Sequence, residues 1–295
     1  MVVLFPNIAP RNDEVLFVIG NGFDLSHGIK SGYWDFEQWV KAQGHNQLIG
    51  LMDTFFSNKR SLWSDVETAL GEYDEGDILD YCSPEEGIDY DHMLRSVIAI
   101  EDAPDSFFKP TLEEFLSIYR DWVDSIDILQ AKANQKLLSD YKYLTFNYTE
   151  TLEQVYCIPS SQVLHIHGSR LQKDDYIIGH NCLKDPNLYD TLNGEFYFEQ
   201  DAKNKIICWM NGLYKDTQSI IHRNQQFFAS LGNIKLIVVK GHSLYYVDWP
   251  YFDEIFKYAD KTAEWLFFYY SENDLRRVEK YIKHIGITNY RLEQS

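Results

Sequence analysis

Apolar positions along this chain fall into two patterns. The first is a set of short continuous runs rich in β-branched and aromatic residues: VLFVIG (Val15–Gly20), YLTFN (Tyr143–Asn147), VLHIHG (Val163–Gly168) and IKLIVVKGHS (Ile234–Ser243). Each ends in Gly, Asn, His or Ser, and runs of this length without polar alternation predict strands buried on both faces. YIIGHN (Tyr176–Asn181) and WLFFYYS (Trp265–Ser271) extend the series. The second pattern has helical spacing and lies between the runs, in ETLEQVY (Glu150–Tyr156), PYFDEIFKYA (Pro250–Ala259) and DLRRVEKYIKHI (Asp274–Ile285). Strand and helix in alternation predict an α/β fold: a parallel sheet with helices on both faces.

One stretch departs from this alternation. From about Tyr33 to Ser139 the pattern is helical throughout, in YWDFEQWVKA, LWSDVETALGEY, DHMLRSVIAI and the long PTLEEFLSIYRDWVDSIDILQAKANQKLL. It is periodic and aromatic and carries no Gly/Ser tract, so it reads as a large helical insertion between the first and second strands, at about 33–140, and not as a linker. A second helical segment, about 203–231, precedes the run at Ile234. The expectation is one α/β domain over 1–295 carrying both segments.

Composition narrows the partners. At 45% hydrophobic, with 21 Tyr, 18 Phe and 7 Trp, the 295 residues can bury a substantial core. The formal charge of −18 repels phosphate backbones, so non-specific nucleic-acid binding is not expected. A small anion remains compatible, since backbone amides at a helix N-terminus bind one without Lys or Arg. Cys82, Cys157, Cys182 and Cys208 are widely separated and read as reduced thiols. The first residues lack the basic segment of a signal peptide, and no stretch approaches the ~18 to 20 apolar residues of a membrane span. A cytoplasmic protein with no membrane association is expected.

Polar residues gather where the predicted strands end, which is where ligands bind in such sheets. GNGFDLSHG follows the first run; Gly20 and Gly22 would let backbone approach a phosphate, and Asp24 or Ser26 could cap the next helix. A full dinucleotide fingerprint wants glycine where Leu25 stands, so the turn reads equally as a tight corner with an Asp cap. Asn147 ends the second run. His165 and His167 share a face of the third, since strand side chains alternate. With His180 and His242 they could hold a metal, but no carboxylate or Cys sits beside them at ligand spacing, and strand-end acids are limited to Asp24 and Asp248.

Taken in order, IGNGFDLSHGI, WSDVE, TFNYTETLE, IHGS, IIGHN and GHSLYYVDWPYFDEI resemble the AbiH-type abortive-infection family of bacterial anti-phage proteins, itself sirtuin-like. The resemblance covers about Val15 to Tyr270. It implies a Rossmann-like sheet with an NAD pocket. By similarity Gly20, Asn21, Gly22, Phe23 and Asp24 form the turn around the pyrophosphate. Asn147 lies beside the nicotinamide ribose, and His167, followed by Gly168, acts as base on a ribose hydroxyl. Gly241, His242 and Ser243 turn near the adenosine half. The paired cysteines of the sirtuin zinc ribbon are absent, which disfavours deacylation, and Thr149 stands where an acid often follows the asparagine.

The implied activity is NAD+ glycohydrolysis in phage defence, with NAD as substrate or ligand and no metal. Alternatives are an NAD or ADP-ribose sensor without turnover, and a His-based metal-dependent nuclease or phosphoesterase. The sequence leaves open a homo-oligomer or a partner protein of the defence system.

Overall fold

The computed structural model describes residues 11–56, 62–83, 89–172, 176–188 and 197–295. The chain begins with β1 (Val15–Ile19) and α1 (Asn21–Ser26), then runs through α2 (Tyr33–Ala42), α3 (Asn46–Phe55), α4 (Val66–Gly71), α5 (Glu75–Cys82), α6 (Met93–Ala103) and α7 (Lys109–Ser125). It continues as β2 (Lys142–Thr145), α8 (Thr151–Tyr156), β3 (Val163–His165), α9 (Tyr197–Asn211), α10 (Thr217–Arg223) and α11 (Gln225–Ala229). Last come β4 (Leu236–Lys240), α12 (Trp249–Tyr258), β5 (Glu264–Tyr269), α13 (Glu272–Ile285) and β6 (Tyr290–Gln294). These elements form two compact units, one of Met1–Gly32, Val123–Ile177 and Asp216–Ser295, the other of Tyr33–Trp122 and Ile178–Lys215.

The first unit holds a six-stranded sheet in the order β3-β2-β1-β4-β5-β6, every pair parallel. This is the Rossmann-like order, in which successive strands are laid down outward from β1 in one direction and then, from β4, in the other. β1 is the centre, and all five of its residues are buried. Its side chains alternate between layers. Leu16 and Val18 join Ile237 and Val239 under Ile220, Ile221, Phe228, Tyr251, Phe252, Ile255 and Tyr281 from α10 to α13. Val15, Phe17 and Ile19 join Tyr143 and Val238 under Phe23 of α1, Leu152 of α8 and Ile158. Helices therefore cover both faces, as the unbroken apolar runs required.

Three features differ from the sequence reading. The YIIGHN run is not a strand: the Ile177 N–H bonds the His167 carbonyl, and His180 makes an isolated bridge to Tyr214. The helix expected to continue to Leu138 stops at Ser125, where Arg170 donates to the Val123 carbonyl at 3.2 Å and satisfies the helix end. Finally, YRLEQ forms β6. As an edge strand paired on one side it tolerates Arg291 and Glu293, so it lacks the apolar run that marked the others.

The helical unit has its own aromatic core. Phe36 meets Trp63, Tyr119 and Trp122 at ring separations of 5.7, 5.2 and 5.0 Å. WSDVE is structural here: Trp63 Nε1 donates to Asp53 at 2.8 Å, Asp65 caps α4 by accepting from the Thr68 N–H, and Glu67 pairs with buried Lys215 at 2.5 Å.

Candidate functional site

The carboxyl ends of β3, β2, β1 and β4 lie side by side, and the strand order reverses between β1 and β4. Ligands of open α/β sheets bind at that switch point. Here the turns after β1 and β4 interlock. The Gly20 N–H donates to the Lys240 carbonyl at 3.1 Å and the Gly22 N–H to the Gly241 carbonyl at 2.8 Å. A Cβ on Gly20 would stand 2.7 Å from Gly241 O, and one on Gly22 2.8 Å from Gly241 Cα. Gly241, at φ +69°, would place a Cβ 2.2 Å from the Phe23 nitrogen. The glycines at this corner thus serve the approach of two turns of the same chain. Asn21 is exposed and exchanges side-chain bonds with Ser31, donating to its carbonyl at 2.9 Å and accepting from its hydroxyl at 2.6 Å. Phe23 is a core residue, its ring 4.5 Å from that of His27.

Behind this corner sits a buried polar group. Asp24 is fully buried and accepts a short hydrogen bond from the Thr149 hydroxyl, which lies 3.1 Å from that of Thr151. Burial pushes the Asp24 carboxyl up from its ordinary range, opposed by hydrogen bonding from Thr149, Thr151 and Asn147. Asn147 is held from below: its N–H donates to Thr145 Oγ1 at 3.1 Å and its carbonyl accepts from His165 Nδ1 at 2.8 Å. Two buried oxygens here, Asp24 Oδ1 and Asn147 Oδ1, have no hydrogen-bond partner among the described residues. Each is a buried acceptor that a water or a ligand donor could satisfy.

His167 belongs to a second buried group. It follows β3, is 4% exposed, and faces Asp248 with Nε2 3.8 Å from Oδ1. The other carboxylate oxygen of Asp248 lies 3.3 Å from His242 Nε2. The Phe146 ring closes against both imidazoles, 5.1 Å from His167 and 4.2 Å from His242, and Tyr251 packs on His167 at 5.5 Å. Gly168, at φ +95°, takes a left-handed conformation in the turn that follows β3. The Ser243 carbonyl accepts from Arg277 Nε at 2.7 Å. The structure therefore brings Asn147, His167, His242 and Asp24 to one end of one sheet.

Other histidines are engaged in the framework. His165 bonds Glu153 at 3.0 Å through Nε2 as well as the Asn147 carbonyl. His180 lies in the helical unit, donates from Nε2 to the Met210 carbonyl at 2.9 Å, and accepts the Cys182 N–H on Nδ1; burial lowers its pKa. Among the described residues no group of three His, Cys, Asp or Glu side chains is arranged to hold a metal ion. Asp248 is visible in the sequence only as one of two strand-end acids, with nothing there to show that it faces His167 and His242. Thr149, which stands where the family resemblance leads one to expect an acid, bonds a carboxylate supplied by the β1 turn.

No helix among the described residues is long and apolar enough to cross a membrane. Comparison with curated proteins gave no match, and comparison with solved structures gave none. The family model for bacteriophage abortive infection AbiH matches residues 16–269, a span that runs from the second residue of β1 to the end of β5 and holds every residue of the two buried groups. The chain accordingly belongs to the bacteriophage abortive infection AbiH family.

Proposed function

We propose that this AbiH protein is an NAD+ glycohydrolase whose activity depletes the dinucleotide in phage-infected cells. The observation that supports it best is the placement of Asn147 and His167 two residues beyond the paired ends of adjacent strands, with buried oxygens at Asn147 and Asp24 that have no partner among the described residues. Such oxygens suit the hydroxyl groups of a ribose, which donate hydrogen bonds. In this reading the turns Gly20–Asp24 and Gly241–Ser243 flank the dinucleotide at the switch point, and Gly168 permits close approach beside the sugar.

The chemistry asks little of the protein. The C1′–N bond breaks with its electron pair going to the pyridinium, so nicotinamide leaves neutral and needs no acid. Positive charge develops on the ribose, as in other glycoside cleavages. Asn147 aligns the sugar and the attacking water; His167 takes the proton as the water oxygen bonds C1′. NAD+ and water thus give ADP-ribose, nicotinamide and a proton. No metal is required, and none of these steps is routed through one.

The test is to incubate the purified chain with NAD+ and follow nicotinamide and ADP-ribose by chromatography, with and without a chelator. Equimolar products, unaffected by chelator, support the reading. Tight NAD+ or ADP-ribose binding without products would make the protein a sensor, and chelator-sensitive cleavage of a phosphoester would replace both.

A further inference from the structure

Asp248 occupies the position before α12 where an acid ordinarily caps the helix, yet its side chain makes no capping bond. It is 7% exposed, and its carboxylate is turned toward the two imidazoles. A carboxylate buried at this depth is retained where partners hold it.

We propose that Asp248 is the positioning residue of His167, fixing which ring nitrogen takes the proton and raising its basicity; this rests on the reading of His167 as the base. The Leu244 N–H donates to His242 Nδ1 at 2.9 Å, so that nitrogen is the acceptor, and the neutral ring carries its hydrogen on Nε2, 3.3 Å from Asp248 Oδ2. Leu244 itself has φ +51°, a conformation leucine adopts only where its surroundings impose it. His242 thereby turns that hydrogen toward one carboxylate oxygen, 3.3 Å away. The other faces His167 Nε2 at 3.8 Å, an electrostatic contact longer than a hydrogen bond. A carboxylate on that side favours the hydrogen on Nε2 and leaves Nδ1 as the nitrogen that accepts the proton, and it stabilises the imidazolium so formed.

Phe146 and Tyr251 pack on the same ring and keep the contact from being screened by water. Among the described residues, titratable groups that face His167 include Asp248, the Tyr251 hydroxyl and, across the carboxylate, His242. An ionised carboxylate on this side favours the charged form of the ring.

The test is histidine-labelled NMR of the full chain, with the His167 signals assigned by their loss in His167→Gln, alongside nicotinamide release. In the wild type the neutral His167 ring should carry its hydrogen on Nε2. Asp248→Asn, which can still accept from His242, should lower the His167 titration midpoint by ~1 to 3 units. Nicotinamide release should fall at least ~10-fold in kcat with KM little changed. Asp248→Glu should restore part of the midpoint.

A neutral wild-type ring protonated on Nδ1 would overturn the proposal even if Asp248→Asn fails to fold. So would an unchanged midpoint in a folded Asp248→Asn. A midpoint that moves while neither protein releases nicotinamide upholds the pairing and rejects the hydrolase. Wild-type release with an identical midpoint and kcat in Asp248→Asn does the reverse.

Discussion

Gly241→Ala probes the interlocked turns. At φ +69° an alanine enters the left-handed region, which costs roughly 1 to 2 kcal/mol for an L-residue. Its Cβ would also stand 2.2 Å from the Phe23 nitrogen and 2.7 Å from the Gly22 carbonyl carbon, both backbone atoms that yield only if α1 moves. Overpacking of that kind costs about 1 to 3 kcal/mol more, for a total of ~2 to 5. Gly286→Ala is the internal control: φ is +79°, but nothing lies within 4 Å of the added carbon. Its cost should be the conformational part alone. Equilibrium guanidinium unfolding of both variants should therefore show Gly241→Ala the less stable by at least ~1 kcal/mol. Equal losses would mean that the β1 and β4 turns separate easily, and the glycines would need another explanation.

Other outcomes follow from particular contacts. Asn147→Ala should lower nicotinamide release by ~10²-fold or more through lost alignment, measured by steady-state kinetics with NAD+ affinity from calorimetry. Lys215→Met removes the buried cation that faces Glu67 in the helical unit and should cost about 3 to 5 kcal/mol in thermal unfolding, much of it recovered by adding Glu67→Leu. Glu14 is hydrogen-bonded by the Lys235 ammonium and the Arg11 N–H, which hold its carboxyl down from 4.5 to about 2. Its folded form binds the proton less readily than the unfolded chain, so the stability it contributes is present above 4.5 and is lost as pH falls through about 2. The melting-temperature gap between wild type and Glu14→Gln should close over that window.

The sheet was legible because its strands are buried on both faces. Five of the apolar runs correspond to β1 to β5, and in a parallel sheet an unbroken run signals burial without regard to partners. β6 escaped because an edge strand can be polar. YIIGHN misled because Gly179 sits against the Leu213 carbonyl, where a Cβ would be 2.1 Å away, and its amides serve isolated contacts instead of a ladder. In the candidate site, the place of Asn147 and His167 beyond adjacent strands could be read from the apolar runs, while their expected roles came from the resemblance alone. The reason for the glycines could not, since it depends on Gly241 arriving from a strand more than two hundred residues later in the chain than β1. The orientation of Asp248 was equally hidden: sequence shows an acid before a helix, and only the fold shows it turned from the backbone toward His167 and His242.

The most direct measurement of the central claim is the cellular NAD+ pool during phage infection, in bacteria carrying the wild-type chain or His167→Ala at equal expression. General-base loss removes ~10² to 10⁴-fold of rate, so the wild-type cells should lose NAD+ after infection while the His167→Ala cells keep it and lose protection. Full protection by His167→Ala, with NAD+ unchanged in wild-type cells as well, would contradict the hydrolase account.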